Sequence, residues 1–194
     1  MKEKELGKLF IISSCSGAGK TTLVNEILSR IPSQCGLGRL VTYTSRSARE
    51  GERDAEDFYF ISPSEFEKKI KSGFFIEWSC AYGHYYGSPA SVIDDLKGGF
   101  SRILVIDRLG ASQIVNKIED VVTIWISVSS LEVLRCRLIS RGKNSMKEIK
   151  KRLAIAQGEV EQEIKKTFYK YKVLNDIFED AAQELEAIFL QELK

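Results

Sequence analysis

Ser14-Cys15-Ser16-Gly17-Ala18-Gly19-Lys20-Thr21-Thr22 places small residues, two glycines, a lysine and paired threonines directly after the apolar run Leu9-Phe10-Ile11-Ile12-Ser13. The backbone N–H groups of such a loop can curl around phosphate oxygens at a helix N-terminus, where the helix dipole also favours an anion. Lys20 would then reach the outer phosphates of a nucleotide, and the Thr21 hydroxyl would sit on Mg²⁺. The spacing is that of a P-loop, Gly-x-x-x-x-Gly-Lys-Ser/Thr, except that Ser14 stands at its first position. A strand that merely turns into a helix through Gly17 and Gly19 is the alternative. The strand–loop–helix context favours the phosphate site.

A second group of residues could hold another substrate. Arg46 and Arg49 lie three apart in a polar stretch, and guanidinium forks match phosphate oxygens bidentately, although two solvated arginines would look the same. Glu77 interrupts the apolar run Phe74-Phe75-Ile76-Glu77-Trp78, so a partly buried carboxylate is expected that must be hydrogen-bonded. It could pair with a nearby cation. It could equally accept two adjacent donors, such as the N1–H and exocyclic amine of guanine, and reject adenine, whose N1 is an acceptor. Ser88 before Pro89 reads as a helix N-cap that could also touch a base. Tyr86 is either core or a phosphate donor, and the lone His84 is not required as a base. Asp107 ends an apolar strand, where an acid can serve near Mg²⁺ or the acceptor. Arg137, Arg141 and Arg152 fall in a basic, Gly142-interrupted stretch that is either a solvated face or a lid over a transferring phosphate.

These residues need a frame. The 194 residues can bury a core of their own, and a net charge of +2 argues against bulk nucleic-acid binding. Cys15, Cys35, Cys80 and Cys136 are scattered, with neither a zinc-ligand nor a disulfide pattern, so a reducing compartment is expected. A charged start and the lack of a long apolar span predict a soluble, unexported, cytoplasmic protein with no membrane partner. Buried strands at Leu9–Ser13, Ile103–Asp107 and Val121–Ser127 alternate with helical patterns. Together with the P-loop they predict an α/β, doubly wound parallel sheet.

Local signals fill in the rest. Leu23, Ile27 and Ile31 mark a helix stopping near Pro32, and Gly36–Thr42 reads as one strand. Ser62-Pro63-Ser64-Glu65 and Ser145-Met146-Lys147-Glu148 are capping boxes, opening a short helix that ends at Gly73 and a long one that reaches about Tyr169. Tyr82–Gly87 reads as a hairpin or tight loop, and Ser88-Pro89 as the start of a helix ending at Gly98-Gly99. Tyr171–Asn175 reads as a last strand, followed by a terminal helix through Ala182, Leu185 and Phe189. The segment from about 40 to 95 breaks the alternation and looks like an insertion carrying a second binding site.

Over nearly its whole length the chain resembles the guanylate kinases, nucleoside monophosphate kinases of the P-loop type. The resemblance is carried by Ser14 to Thr21, by Thr42-Tyr43-Thr44-Ser45-Arg46-Ser47-Ala48-Arg49-Glu50-Gly51-Glu52, and by Glu77-Trp78. Tyr85-Tyr86-Gly87-Ser88, Ile106-Asp107-Arg108-Leu109-Gly110, Arg141-Gly142 and Lys151-Arg152-Leu153 complete it. It implies one domain over 1–194, with a GMP-binding insertion at about 40–95 and a helical lid at about 138–156 that closes to exclude water. It implies Mg²⁺-dependent transfer of the ATP γ-phosphate to GMP or dGMP. Ser14, Cys15, Ser16, Gly17, Ala18, Gly19, Lys20, Thr21 and Thr22 would bind ATP, with Thr21 on the metal. Lys20, Arg141 and Arg152 would be catalytic. Arg46, Arg49 and Tyr86 would hold the GMP phosphate, while Glu77, Ser88 and Thr42 read guanine. Asp107 would lie near the guanosine or in the metal's water shell. The molecule would act as a monomer or homodimer.

Five positions depart from the family pattern: Ser14-Cys15 for Gly-Pro, Ala48 for Pro, Phe58 for Tyr and Val105 for an acid. The Phe58 change removes one phosphate-binding hydroxyl, so a somewhat raised KM for GMP is expected. Cys15 beside the phosphates suggests sensitivity to oxidants or alkylators. Two rival readings share this frame, an inactive guanylate-kinase-like protein-binding domain and a kinase of another phosphorylated acceptor such as ribose 1,5-bisphosphate.

Overall fold

A computed structural model describes residues 6–15, 17–32, 35–140 and 145–194. Their elements, in chain order, are β1 (Leu9–Ser14), α1 (Lys20–Arg30), β2 (Leu37–Arg39), β3 (Thr42–Thr44), β4 (Phe58–Phe60), α2 (Pro63–Lys71), β5 (Phe75–Ala81) and β6 (His84–Pro89). There follow α3 (Val92–Lys97), β7 (Ser101–Val105), α4 (Arg108–Val115), β8 (Val122–Ser127), α5 (Leu131–Ser140), α6 (Met146–Lys165), β9 (Tyr171–Leu174) and α7 (Phe178–Glu192). A five-stranded sheet runs β2-β7-β1-β8-β9, and a four-stranded one runs β4-β3-β6-β5. The β2–β7 and β8–β9 pairs are parallel, as buried apolar strands joined by helices require.

The chain divides into two compact units, one from Met1–Phe10 and Gly36–Val121, the other from Ile11–Cys35 and Val122–Lys194. In the first, β3 pairs parallel with β4 and antiparallel with β6, and β5 and β6 form a hairpin. Tyr82 and Gly83 turn that hairpin with φ of 57° and 81°. Helix α2 covers one face of the sheet. Phe66 stacks on Phe75 and Tyr85 there, and Tyr43 stacks on Tyr59. In the second unit, β1 is buried throughout, and α1 and α7 are joined by the Arg30 pairs with Glu179 and Glu186.

Both capping boxes form: Ser62 accepts from the Glu65 N–H and Ser145 from the Glu148 N–H, each with the reciprocal carboxylate bond. Several sequence expectations need correction. The single strand over 36–42 is two, because after Arg39 the Leu40 N–H takes a last bond to the Ile103 carbonyl and the chain leaves for the other sheet at Thr42. Ser88 caps no helix. Ser88 and Pro89 end β6, where Pro89 faces Phe75, and the helix starts only after Ser91. The hairpin read at Tyr82–Gly87, by contrast, forms, with only Tyr82 and Gly83 outside its two strands. Helix α6 ends at Lys165, short of Tyr169, and the N–H of Tyr169 is taken by the Thr167 hydroxyl. Helix α4 lies where the sequence pattern shows no helix. Its Gly110 and Ser112 blur the apolar period, although Asp107 is its N-cap, accepting from the Gly110 N–H at 2.8 Å.

Replacing Ser62 by Ala removes the hydroxyl that accepts the Glu65 N–H and leaves only the reciprocal bond from the residue's own N–H to the Glu65 carboxylate. Urea unfolding of the Ser62→Ala variant is expected to show a stability loss of about 1 kcal/mol.

Candidate functional site

In the unit that contains α1, the turn from β1 into the helix is built on two left-handed glycines, Gly17 (φ 96°) and Gly19 (φ 95°). Both angles suit glycine alone, and at Gly19 a Cβ would also stand 2.6 Å from the Asn175 amide nitrogen. Gly19 leaves the first turn of α1 without a side-chain cap, and helix N–H groups that lack intrahelical partners favour an anion. Lys20 Nζ donates to the Ser14 carbonyl and to Ser14 Oγ, each at 2.9 Å. Ser14, the departure at the first position of the loop, therefore supplies two acceptors that aim the lysine.

Two residues outside the motif brace this loop. Asn175 Nδ2 donates to the Ala18 carbonyl at 2.6 Å, and Arg137 donates to the Asn175 carbonyl at 2.6 Å. In the sequence Arg137 is only part of a basic run, and nothing there gives Asn175 a role. They come from α5 and from the end of β9, far from the loop in sequence, so no local spacing could pair them with it. Arg152 lies on α6, half-buried. Ser16 and Arg141 fall outside the described residues.

The Cys15 thiol is buried, and burial pushes its pKa up to about 11 although the Lys20 charge opposes this. A thiol so seldom ionised is a poor nucleophile, which corrects the expectation of a reactive Cys15. Thr21 is exposed in the first turn of α1. Among the described residues no group of three or more His, Cys, Asp or Glu could hold a metal ion. One hydroxyl beside a phosphate cradle nonetheless fits Mg²⁺, which keeps several waters and is commonly completed by substrate phosphates.

The second set of residues is brought together by the four-stranded sheet. Phe75 faces Pro89 and Glu77 faces Ser88, so a bulge inserts one residue into β5 between Phe75 and Glu77. The bulge resets the pleat. Phe75 packs on α2, while Glu77 emerges on the opposite face beside Ser88 and Ser79. Ser88 Oγ donates to Glu77 Oε1 at 2.5 Å. Glu77 is only 2% exposed. Burial pushes its pKa up to about 7, the Ser88 hydrogen bond pulls it down, and the Asp107 charge raises it again. Gly110 is a requirement here, because a Cβ would overlap Glu77 Oε2. Asp107 is occupied on both oxygens, by the Gly110 N–H and by Ser79 Oγ at 2.5 Å.

Arg46, for which a solvated side chain is the alternative reading, is 9% exposed. Its guanidinium pairs bidentately with Glu52, at 2.8 and 3.0 Å, and its Cζ lies 5.6 Å from the centre of the Phe58 ring and 5.7 Å from that of Phe60. Glu52 also accepts from the Arg49 N–H at 2.7 Å, which fixes the loop between the two arginines without the missing proline. Arg46 Nε is buried and has no hydrogen-bond partner among the described residues, a donor suited to an anion. Arg49 is exposed. Tyr86 pairs in register with Thr44, and its ring meets Phe58 edge-on at 6.2 Å. Thr42 is buried on β3. One unit therefore gathers Thr42, Arg46, Arg49, Glu77, Tyr86, Ser88 and Asp107, with Gly110, Ser79 and Glu52 as members that spacing did not single out. The Asp107-x-x-Gly110 spacing was the one available signal for Gly110.

Comparison with known proteins completes the assignment. The family model described as guanylate kinase matches residues 6–192. The chain belongs to the guanylate kinase family. It is 38% identical over 187 residues to the guanylate kinase of Myxococcus xanthus, covering 96% of this chain and 87% of that one. It is 39% identical over 192 residues to the guanylate kinase of Protochlamydia amoebophila, covering 98% and 93%. A crystal structure of guanylate kinase from Anaplasma phagocytophilum superposes with a TM-score of 0.79 at 30% identity, covering 98% of this chain and 88% of that one. The α/β fold with a parallel sheet core predicted from the sequence is that of this family.

The Ser88 hydroxyl bond is the largest of the effects that pull the Glu77 pKa down against burial. In Ser88→Ala the midpoint of Glu77, followed by its carboxyl ¹³C shift, is expected to move further above about 7. An unmoved midpoint would remove Ser88 from this role.

Proposed function

We propose that this chain transfers the γ-phosphoryl group of ATP to GMP, and to dGMP, giving ADP and GDP in the purine nucleotide metabolism of the cytoplasm. The observation that carries the reading is the buried Glu77 carboxylate bonded by Ser88 on the sheet face that also presents Arg46. Ionised Glu77 accepts the two adjacent donors of guanine, N1–H and the 2-amine, and Ser88 and Thr42 complete the contacts to the base. Adenine meets the carboxylate with an acceptor at N1 and leaves buried polar groups unpaired, which is a strong basis for rejection. Arg46, Arg49 and Tyr86 hold the GMP phosphate. Phe58 contributes its ring to the Arg46 guanidinium but no hydroxyl.

On the ATP side, Ser14 to Thr22 hold the phosphates and Lys20 reaches the outer ones. Thr21 and the phosphate oxygens hold Mg²⁺, which when bound neutralises phosphate charge. Arg141 and Arg152 stabilise the charge of the transferring group. No side chain serves as a covalent carrier, and His84 takes no part, since positioning and charge stabilisation suffice for this chemistry. Asp107, already bonded to Ser79 and Gly110, acts as a positioning residue beside Glu77 on the guanosine side. In this reading the segment at about 40–95 is the GMP-binding insertion and that at about 138–156 the lid of one domain spanning 1–194. ATP and GMP or dGMP are its partners, and it works as a monomer or homodimer.

An ADP-release assay with GMP, dGMP, AMP, UMP and ribose 1,5-bisphosphate as acceptors tests the proposal. Turnover is expected with GMP and dGMP, and Lys20→Ala should abolish it while leaving the circular dichroism spectrum intact. Turnover with the bisphosphate alone, with no acceptor at all, or at full rate in Lys20→Ala would overturn it. The pH profile gives a separate check. The ionised Glu77 binds the guanine donors and its folded pKa is about 7, so kcat/KM for GMP should be full above that value. It should fall by up to about tenfold per unit below it. The Glu77→Gln variant should lose that titration and keep only that of a phosphate monoester, near about 6.

A further inference from the structure

β5 is an edge strand in the sheet order β4-β3-β6-β5, so the N–H and C=O groups on its outer side have no neighbouring strand. Edge groups near a buried carboxylate are a liability, because any slip of the strand moves the side chain it carries. Here they are taken by α4. Gln113 Nε2 donates to the Trp78 carbonyl at 2.8 Å, and the Trp78 N–H donates to Gln113 Oε1 at 3.3 Å. One carboxamide thus pairs both groups of one peptide residue, as a neighbouring strand would. Lys117 Nζ donates to the Ile76 carbonyl. Ile76 and Trp78 are the residues on either side of Glu77.

Asp107, Gly110, Gln113 and Lys117 recur at helical spacings of three, three and four, which puts them on one stripe of α4 and the turn that follows it. From this stripe Asp107 bonds Ser79, Gly110 leaves room for Glu77 Oε2, and Gln113 and Lys117 grip the backbone on both sides of Glu77. Of these, the Gln113 bonds are made to the peptide next to Glu77, through a side chain that no motif singled out.

We infer that Gln113 is a positioning residue for guanine specificity, holding the Trp78 peptide so that the Glu77 carboxylate stays aligned with two donors at once. The inference rests on the reading of Glu77 as the guanine acceptor. A bidentate contact tolerates only small displacements, of roughly half an ångström. A slackened β5 therefore loses the second bond, to the 2-amine, before the first. Inosine monophosphate keeps N1–H and lacks that amine, so the ratio of GMP to inosine monophosphate affinity reads the alignment directly.

Calorimetric titrations of the wild type, Gln113→Met and Gln113→Glu with each nucleotide test this. Gln113→Met keeps the shape and removes both bonds. Its affinity for GMP should fall about tenfold, that for inosine monophosphate much less, and the preference between them should shrink accordingly. Gln113→Glu keeps the acceptor for the Trp78 N–H and should retain part of the preference. If Gln113→Met does not fold, Gln113→Glu decides, since a reduced preference there supports the same positioning role. A purely structural role would lower the melting temperature and leave the preference unchanged. An unchanged preference in a folded variant overturns this inference alone, whereas a wild type that does not prefer GMP overturns it together with the proposed function.

Discussion

Glu77 has to satisfy two opposed demands. Burial favours its neutral form, and the proposed recognition of a pair of donors needs its charged form. The first unit is arranged around that conflict. Ser88 on the neighbouring strand donates to the carboxylate, Asp107 lies close enough to oppose ionisation, and their balance leaves the group near the middle of its titration at neutral pH. A carboxylate in that condition gains most from a ligand that supplies donors, because the ligand offsets a desolvation that the fold has already imposed. The conflict is eased locally, by the Ser88 hydroxyl that the bulge in β5 sets beside the carboxylate.

The arginine side of the same sheet follows a related logic. Arg46 is buried over Phe58 and Phe60 and bonded to Glu52, which also ties down the Arg49 backbone. A guanidinium held this way is preorganised, so less rotamer freedom is lost when a phosphate arrives. Glu52 thereby substitutes for stiffness that a proline between the arginines would have supplied. In the other unit, Lys20 is oriented by the two Ser14 oxygens, and the loop is pinned from outside by Asn175 and Arg137. In both units the groups suited to phosphate are oriented by neighbouring side chains, Arg46 by Glu52 and Lys20 by Ser14.

Much of this is readable from the chain. The P-loop, the strand and helix on either side of it, both capping boxes and the terminal strand and helix rest on interactions within a few residues, so residue type and spacing suffice. The arginines at 46 and 49, Glu77, Tyr86 and Asp107 stand out as candidates because polar groups at those places need an explanation. Ser88 stands out for the wrong structural reason. Its place before a proline suggests a helix cap, and a residue at the end of a strand carries the same local signature. Helix α4 escapes because its polar stripe faces β5 and its apolar period is short.

Residue types and their order were enough to place the chain in its family and to propose a phosphate cradle and an acceptor set, because those depend on chemistry carried by short segments. The face on which Glu77 emerges was not decided at that level. A single extra residue in β5 inverts the alternation, and nothing in Phe-Phe-Ile-Glu-Trp says where the extra residue lies. The same holds for Ser88 against Glu77, Glu52 against Arg46, Asn175 against the P-loop and Gln113 against Trp78. Each is a pairing between residues distant in sequence or across a turn, whose geometry exists only once the strands have chosen their register and the helices have packed beside them.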